Sequence, residues 1–185
     1  PAVSTGFRQP RPAWVDPAVL GAHGVEWVER PTGGGLAVHG SDVSCSVVIP
    51  HRLARPLQAV MALVGESLLL ACRDLVESAR WVAEMDRAMP VTYCLTEPSP
   101  YAVMVGSRKL CGLAIRRYPD AWLIQGSLLL RGLPDAVQTL MPPAVLEAFR
   151  TQAITLEEAH GHPVTASALT AAVMQAWQDT WDAFV

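Results

Sequence analysis

Two residues in the segment VTYCLTEPSPYAVMVGSRKLCG (91–112) have side chains suited to covalent chemistry. Cys94 offers a thiol, and Lys109, the only lysine beside 13 arginines, offers a compact ammonium later in the same segment. An ammonium close to a thiol lowers the thiol pKa and favours the nucleophilic thiolate. Arginine is a permanently charged fork and does not replace lysine in that role. The segment is therefore a candidate thiol–lysine pair, and the alternative is an inert cysteine.

The strands around Lys109 decide whether the two side chains can meet. Residues 101–105 and 108–114 predict two paired strands joined at the tight turn Gly106-Ser107. Lys109 should then lie near that turn rather than opposite Cys94. Contact requires the Pro/Ser/Thr-rich loop that carries Cys94 to fold over the strands.

A second candidate is the segment RPTGGGLAVHG (30–40). Three consecutive glycines permit backbone angles closed to other residues and let a ligand approach the main chain. Arg30 is placed to contact a carboxylate or phosphate, and His39 follows the turn. The alternatives are a plain hairpin turn and a strand histidine bonded to backbone. The pattern is neither a P-loop nor a dinucleotide fingerprint.

The cysteines give no sign of a metal or disulfide framework. Cys45, Cys72, Cys94 and Cys111 form no CxxC pair. We therefore expect no metal, and we expect most of the four to be small buried hydrophobes in a reducing cytoplasm.

The elements that must position these residues follow from hydrophobic spacing and turn residues. Residues 1–17 predict a strand and an extended loop, and 24–50 predict a strand, the glycine turn and two short strands. Apolar residues at helical spacing predict one long helix from Pro56 to about Met85. Residues 101–130 predict three strands with a second turn at Pro119-Asp120.

The C-terminal part of the chain predicts further helices. Thr155 and Glu158 form a possible capping box. The last helix should present one apolar stripe: Leu169, Val173, Trp177, Trp181 and Phe184. Together these elements indicate an α+β fold, a mixed and largely antiparallel sheet packed against helices, in a single domain over 1–185.

Composition excludes several classes of function. Charged residues make up 17% of the chain and the formal net charge is −3, which argues against nucleic-acid binding. The richest apolar run, 59–72, is short and contains Glu66, so no membrane span is expected.

The motifs resemble those of a known family. ERPTGGGLAVHG resembles RRxTGGGAVxHD, and VGSRKLCGLAIRRYPDAWLIQGSLLL resembles xGRKIxGSAQxRxxxxxLQHGSILL, both of the lipoate–protein ligase and octanoyltransferase family. CLTEPSPYAVMV is similar to CFxAPSWYELVV of its cysteine-dependent octanoyltransferases. The resemblance covers about residues 3–130 and implies the biotin/lipoate ligase fold. Glu29, Gly40 and Gln125 depart from the family's Arg, Asp and His, and the family's N-terminal helix is expected to be absent.

This resemblance implies roles for individual residues. Cys94 matches the nucleophile that takes an octanoyl group as a thioester, and Lys109 matches the lysine beside the acyl carbonyl. The other matched positions are expected to bind substrate: Arg30, Thr32, Gly33, Gly34, Gly35, His39, Gly112, Ala114, Gln125 and Gly126.

The implied reaction is octanoyl transfer from octanoyl-acyl carrier protein to Cys94, then to a lysine of a lipoyl domain or a glycine-cleavage carrier protein. No cofactor is expected. One alternative is an ATP-dependent lipoate–protein ligase, which would need ATP and Mg²⁺. The other is a non-catalytic acyl-binding module.

Overall fold

The computed structural model describes residues 1–53, 56–83, 92–97 and 99–184. Its strands are β1 Ala2–Thr5, β2 Glu26–Glu29, β3 Ala37–His39, β4 Asp42–Pro50, β5 Ala79–Val82, β6 Ala102–Val105, β7 Arg108–Arg117 and β8 Ala121–Leu129. Its α-helices are α1 Pro17–Ala22, α2 Leu57–Arg73, α3 Asp135–Leu140, α4 Pro143–Gln152, α5 Leu156–His160 and α6 Ala166–Phe184, and a 3₁₀ turn spans His51–Leu53.

The strands form two sheets. Strand β1 lies between β2, to which it is parallel, and β3, to which it is antiparallel. The other sheet has the order β4-β8-β7-β6-β5 and is antiparallel throughout. The predicted α+β fold with a mixed, largely antiparallel arrangement is confirmed.

Both predicted hairpin turns of the larger sheet are present. Gly106 adopts a φ of 59° between β6 and β7, a value that favours glycine. Between β7 and β8, the Tyr118 amide donates to the Ala121 carbonyl over 2.8 Å and closes a two-residue turn at 119–120. These short connections fix the register in which Lys109 pairs with Met104 of β6, and Gly112 and Ala114 pair with Ser127 and Gln125 of β8.

The predicted long helix ends earlier than its spacing suggests. Helix α2 stops at Arg73; of the apolar residues that continued its spacing, Leu75 lies in the following turn, and Ala79 and Val82 belong to strand β5. Pairing of β5 with β6 outweighs the local helical pattern. The end at Met85 lies outside the described residues. Gly65 in α2 permits close packing, because a Cβ there would lie 2.3 Å from the Trp81 ring.

A short helix was missed in the N-terminal region. The predicted loop over 1–17 ends at α1, for which no prediction was made; there the Asp16 side chain accepts from the Ala18 amide over 2.8 Å and Pro17 occupies the first turn. An aspartate followed by proline is a typical helix start, so the signal was present in the sequence.

Two hydrophobic cores result from this arrangement. One lies between the larger sheet and helices α2 and α6, and it includes the predicted apolar stripe of α6. The second gathers β1, β3 and helices α1, α3 and α4 around Val3, Leu20 and Val137. Within the described residues, no helix has the length and apolarity needed to cross a membrane.

Candidate active site

The loop that carries Cys94 does fold over the strands. Its backbone pairs with Leu36, which follows the glycine turn: the Leu36 amide donates to Thr92 and the Cys94 amide donates to Leu36, over 2.7 and 2.8 Å. The Glu97 carboxylate accepts from the amides of Thr92 and Tyr93 and closes the loop on itself. Cys94 is half-buried at the centre of this anchored turn.

Lys109 binds the same loop from the strand below. Its ammonium donates to the carbonyl oxygen of Cys94 over 2.8 Å, to that of Glu97 over 2.5 Å and to the Ser99 hydroxyl over 2.9 Å. The side chain is buried, and this burial lowers its pKa, although the charges of Cys94, Cys111 and Glu97 oppose the shift. The ammonium therefore sits beside the candidate nucleophile and also holds its loop in place.

The C-terminal helices hold the backbone of Lys109 from the other side. The Ile154 amide donates to the Lys109 carbonyl over 3.0 Å. Neighbouring Arg108 donates to the Ala153 carbonyl over 2.7 Å and pairs with Glu158. The predicted capping box is therefore only half formed. The Thr155 hydroxyl accepts from the Glu158 amide at the start of α5, whereas the Glu158 carboxylate pairs with Arg108.

Arg30 shapes the glycine turn instead of pointing freely at a ligand. Its guanidinium donates to the carbonyls of Gly33 and Gly35 over 2.8 and 2.7 Å, and to the backbone and hydroxyl of Ser4. Burial lowers the Arg30 pKa, and the charge of Cys94 opposes that shift. Arg30 is thus a second cation in the electrostatic environment of Cys94.

The turn contains a matched pair of glycines for a mutational test. Gly34 has a φ of 88°, and a Cβ there would lie 3.0 Å from Arg30 Nη2, whereas a Cβ on Gly33 would meet nothing within 4 Å. We expect Gly34→Ala to lower the free energy of unfolding by about 1–2 kcal/mol through strain at this backbone angle. Gly33→Ala should change it by less than about 0.5 kcal/mol. Denaturant unfolding measures both, and equal effects would contradict this account.

A cavity of about 280 Å³ lies between the two sheets at this point. The predicted site residues that line it are Arg30, His39, Cys94, Gly112, Ala114, Gln125 and Gly126. Thr32 is buried behind the wall, where its hydroxyl donates to Gln125 Oε1 over 2.8 Å. Lys109 and the three glycines of the turn are not among the lining residues. Lys109 contacts Cys94, and the carbonyls of Gly33 and Gly35 accept from Arg30.

The two small residues on β7 and β8 have different reasons for being glycine. A Cβ on Gly112 would lie 3.6 Å from the Cys94 sulfur and 3.8 Å from Lys109 Cδ, so this glycine leaves the space around the thiol open. A Cβ on Gly126 would lie 2.7 Å from Leu113 and 3.0 Å from the Cys45 sulfur. Gly126 is therefore required by packing beneath the sheet as well as by the cavity.

The remaining cysteines are poor nucleophiles. Burial raises the pKa of Cys72 to about 12 and raises that of Cys111 well above its ordinary value. Burial also raises the pKa of Cys45, although backbone hydrogen bonds oppose the shift. At neutral pH these three remain thiols.

A polar cluster at the cavity includes residues that the sequence alone did not indicate. Asp42, at the start of β4, accepts from His39 Nδ1 over 2.9 Å, from Ser127 over 2.7 Å and from Ser44 over 2.8 Å. His39 Nε2 lies 2.8 Å from the Ser4 hydroxyl. The family motif has its carboxylate at the position of Gly40, and here Asp42 reaches the histidine from two residues further along. The spacing of three residues between His39 and Asp42 was the sequence signal for this contact.

Asp42 makes the free energy of unfolding depend on pH in the acid range. Burial by itself would raise its pKa, but hydrogen bonds from His39, Ser127 and Ser44 together with the charge of His39 lower it to about 2. Its carboxylate therefore stabilises the fold above about pH 4, and this contribution is lost as the pH falls towards 2.

Between pH 5 and 2, wild type should lose about 2 kcal/mol more unfolding free energy than Asp42→Asn. Denaturant titrations at a series of pH values measure this difference. Asp179→Asn, at an exposed position on α6 where the side chain accepts only from Gln175 among the described contacts, is the matched control. Identical acid profiles for wild type and Asp42→Asn would refute the assignment.

Within the described part of the chain, no group of three His, Cys, Asp or Glu side chains is arranged to hold a metal ion. The chemistry that the site's own residues support is acyl transfer through a thiol, with two cations to stabilise negative charge and a histidine–carboxylate pair on the opposite wall.

Sequence relatives point to the same chemistry. The octanoyltransferase LipM of Symbiobacterium thermophilum is 32% identical over 206 residues, covering 100% of this chain and 68% of the relative. The octanoyltransferase LipM of Kyrpidia tusciae is 27% identical over 195 residues, covering 97% and 71%.

Solved structures establish the fold. A bipartite lipoate protein ligase from Thermoplasma acidophilum aligns with a TM-score of 0.73 at 18% identity over 98% of this chain and 68% of its own. Lipoate-protein ligase A bound with ATP aligns with a TM-score of 0.72 at 20% identity, over 98% and 69%. Biotin protein ligase from Aquifex aeolicus aligns at 0.56 and 13% identity, over 78% and 55%. The implied biotin/lipoate ligase fold is confirmed.

A family model described as the lipoyl protein ligase A/B catalytic domain matches residues 1–178. With its two sheets, its glycine turn and the paired Cys94 loop and Lys109 strand, the chain belongs to the lipoyl protein ligase A/B catalytic domain family.

Proposed function

We propose that this chain transfers an octanoyl group from octanoyl-acyl carrier protein to Cys94, and from there to a lysine of a lipoyl-carrier domain. The observation that carries the proposal is the hydrogen bond from the Lys109 ammonium to the carbonyl oxygen of Cys94, at the wall of a cavity. The names of the most similar sequence relatives described above support octanoyl transfer as the reaction.

The first step uses the thiolate of Cys94. It attacks the thioester carbonyl of the donor, the new C–S bond forms, and the donor thiolate leaves. Transfer of an acyl group from one thiol to another needs no activation by ATP. Lys109 and Arg30 place positive charge beside the thiolate and beside the oxyanion that forms during attack, where such charge is most effective.

The cavity suits a single acyl chain. Its volume of about 280 Å³ is just below the range of small-ligand sites, which run from about 300 to 1,000 Å³. Gly112 keeps the space next to the sulfur free, so that a carbonyl carbon can approach it.

Intact-protein mass spectrometry tests the proposal. After incubation with octanoyl-acyl carrier protein and no ATP, the protein should gain one octanoyl group, and addition of a lipoyl domain should remove it and yield the octanoylated domain. Modification of the lipoyl domain from free acid, only when ATP and Mg²⁺ are present, would instead establish a ligase. Tight binding of octanoate without either product would establish the acyl-binding module.

A further inference from the structure

Ser4, His39 and Asp42 form a continuous hydrogen-bonded chain along the wall of the cavity. Ser4 on β1 and His39 on β3 are diagonal neighbours of the smaller sheet, since Ala2 pairs with His39. The Ser4 hydroxyl lies 2.8 Å from His39 Nε2, and His39 Nδ1 lies 2.9 Å from Asp42 Oδ2. Both Ser4 and His39 line the cavity that Cys94 lines.

The direction of each hydrogen bond follows from the charges at the two ends. Asp42, whose pKa is about 2, is ionised at neutral pH and only accepts, so His39 Nδ1 carries a proton and donates it. In the tautomer that carries its proton on Nδ1, His39 offers the Nε2 lone pair to the Ser4 hydroxyl. At the other end, Arg30 Nη1 can only donate to the Ser4 oxygen, over 3.2 Å. This arrangement of protons is the one that the relay proposed below uses.

The second half of the acyl-transfer reaction needs a base. A lysine amine that attacks a thioester becomes cationic at nitrogen and must lose a proton before the amide is formed. Lys109 is not placed to take that proton, because its ammonium already donates to Cys94, Glu97 and Ser99.

We propose that Ser4 and His39 form a proton relay for the second half of the reaction, attack of the acceptor lysine on the acyl-enzyme, and that Asp42 is its positioning residue. This inference rests on the proposed function above. The amine nitrogen forms a bond to the carbonyl carbon, the bond from that carbon to the Cys94 sulfur breaks, and Cys94 leaves as thiolate.

The proton of the amine passes to the Ser4 oxygen while the Ser4 proton passes to His39 Nε2. Asp42 stabilises the resulting imidazolium. The imidazolium then releases this proton to solvent, and the thiolate that left the donor takes one from solvent, so that both charge and protons balance over one turnover.

The relay should matter for one half-reaction and not the other. Exchange between thiols and thioesters requires no deprotonation of an amine, so Ser4→Ala and Asp42→Asn should load Cys94 at a rate within about threefold of wild type. Single-turnover transfer from isolated acyl-enzyme to a lipoyl domain should fall by about 100-fold, the lower end of the range for a positioned base. Intact mass measures both steps.

Hydroxylamine supplies a chemical control, because it is a small amine, largely unprotonated at neutral pH, that can lose its proton to solvent without the relay. It should discharge the acyl-enzyme of all variants at the wild-type rate. The transfer deficit of Ser4→Ala should also shrink as the pH is raised, because hydroxide then removes the proton of the attacking amine in place of the relay. Asp179→Asn on α6 is the matched control for a loss of one carboxylate.

Three outcomes overturn the inference. Transfer to the lipoyl domain at the wild-type rate in Ser4→Ala excludes the relay, and this variant decides even if Asp42→Asn fails to fold. An equal loss in loading, in hydroxylamine discharge and in transfer would show a structural role only. If wild type forms no acyl-enzyme at all, the proposed function fails, and the relay fails with it.

Discussion

Cys94→Ser is expected to remain folded and to form no acyl-enzyme. A serine hydroxyl has a far higher pKa than a thiol, and the cations beside position 94 cannot ionise it at neutral pH. The loop should keep its shape, because its anchors are the Cys94 backbone bonds to Leu36 and Lys109 and do not involve the sulfur. Octanoyl transfer should fall below detection, a loss of at least about 1,000-fold.

Alanine substitutions of the buried cysteines provide the comparison for Cys94→Ser. Cys72→Ala and Cys111→Ala should keep the acyl adduct, because burial raises the pKa of both thiols and keeps them un-ionised. Alkylation should find one thiol that reacts rapidly near neutral pH, and peptide mapping should place it at Cys94. Retention of ATP-dependent lipoate transfer by Cys94→Ser would instead assign the chain to the ligases.

Lys109→Arg is expected to reduce transfer by about 100-fold or more, the scale for loss of one oxyanion donor. The ammonium fits a buried site with three acceptors on one loop, the Cys94 and Glu97 carbonyls and the Ser99 hydroxyl. A planar guanidinium is larger, and it cannot direct three N–H groups from a single nitrogen at these three acceptors. The loss should appear in both half-reactions, which distinguishes it from the relay variants.

Arg108→Lys is the matched control for Lys109→Arg. It exchanges the same two residue types one position away, and Arg108 faces the C-terminal helices instead of Cys94. It should lower stability without a comparable loss of transfer. Near-normal turnover of a folded Lys109→Arg enzyme would show that Lys109 only supports the loop.

The parts of this structure that depend on local pattern could be predicted from the sequence. The turns at 106–107 and 119–120 set the β6–β7–β8 meander, and the apolar stripe of α6 packs as its spacing indicates. The glycine turn could be predicted because three successive glycines permit backbone angles that favour a turn. Chemistry was assigned to Cys94 and Lys109 from the residue types and the family resemblance.

The contacts that build the site were not accessible in this way. Whether Cys94 meets Lys109 depends on backbone bonds to Leu36, more than fifty residues earlier in the chain. The end of α2 depends on strand pairing that overrides a helical pattern. Asp42 was not among the predicted site residues, because the family motif has its carboxylate at the position of Gly40. In this chain the carboxylate that binds His39 comes from Asp42 on the next strand. The first two are long-range interactions with no local signature, and the third is a compensating contact whose only sequence signal is the spacing of His39 and Asp42.

The hydrogen bond from Ile154 to the Lys109 carbonyl has a consequence for local unfolding. Adjacent residues of β7 face two different parts of the molecule: Arg108 holds the segment from Arg150 to Glu158, while Lys109 holds the Cys94 loop. Amide exchange at Ile154 therefore reports opening events that also release the backbone of the lysine. The free energy of that opening sets how often the β7 backbone that positions the ammonium is released from the C-terminal helices.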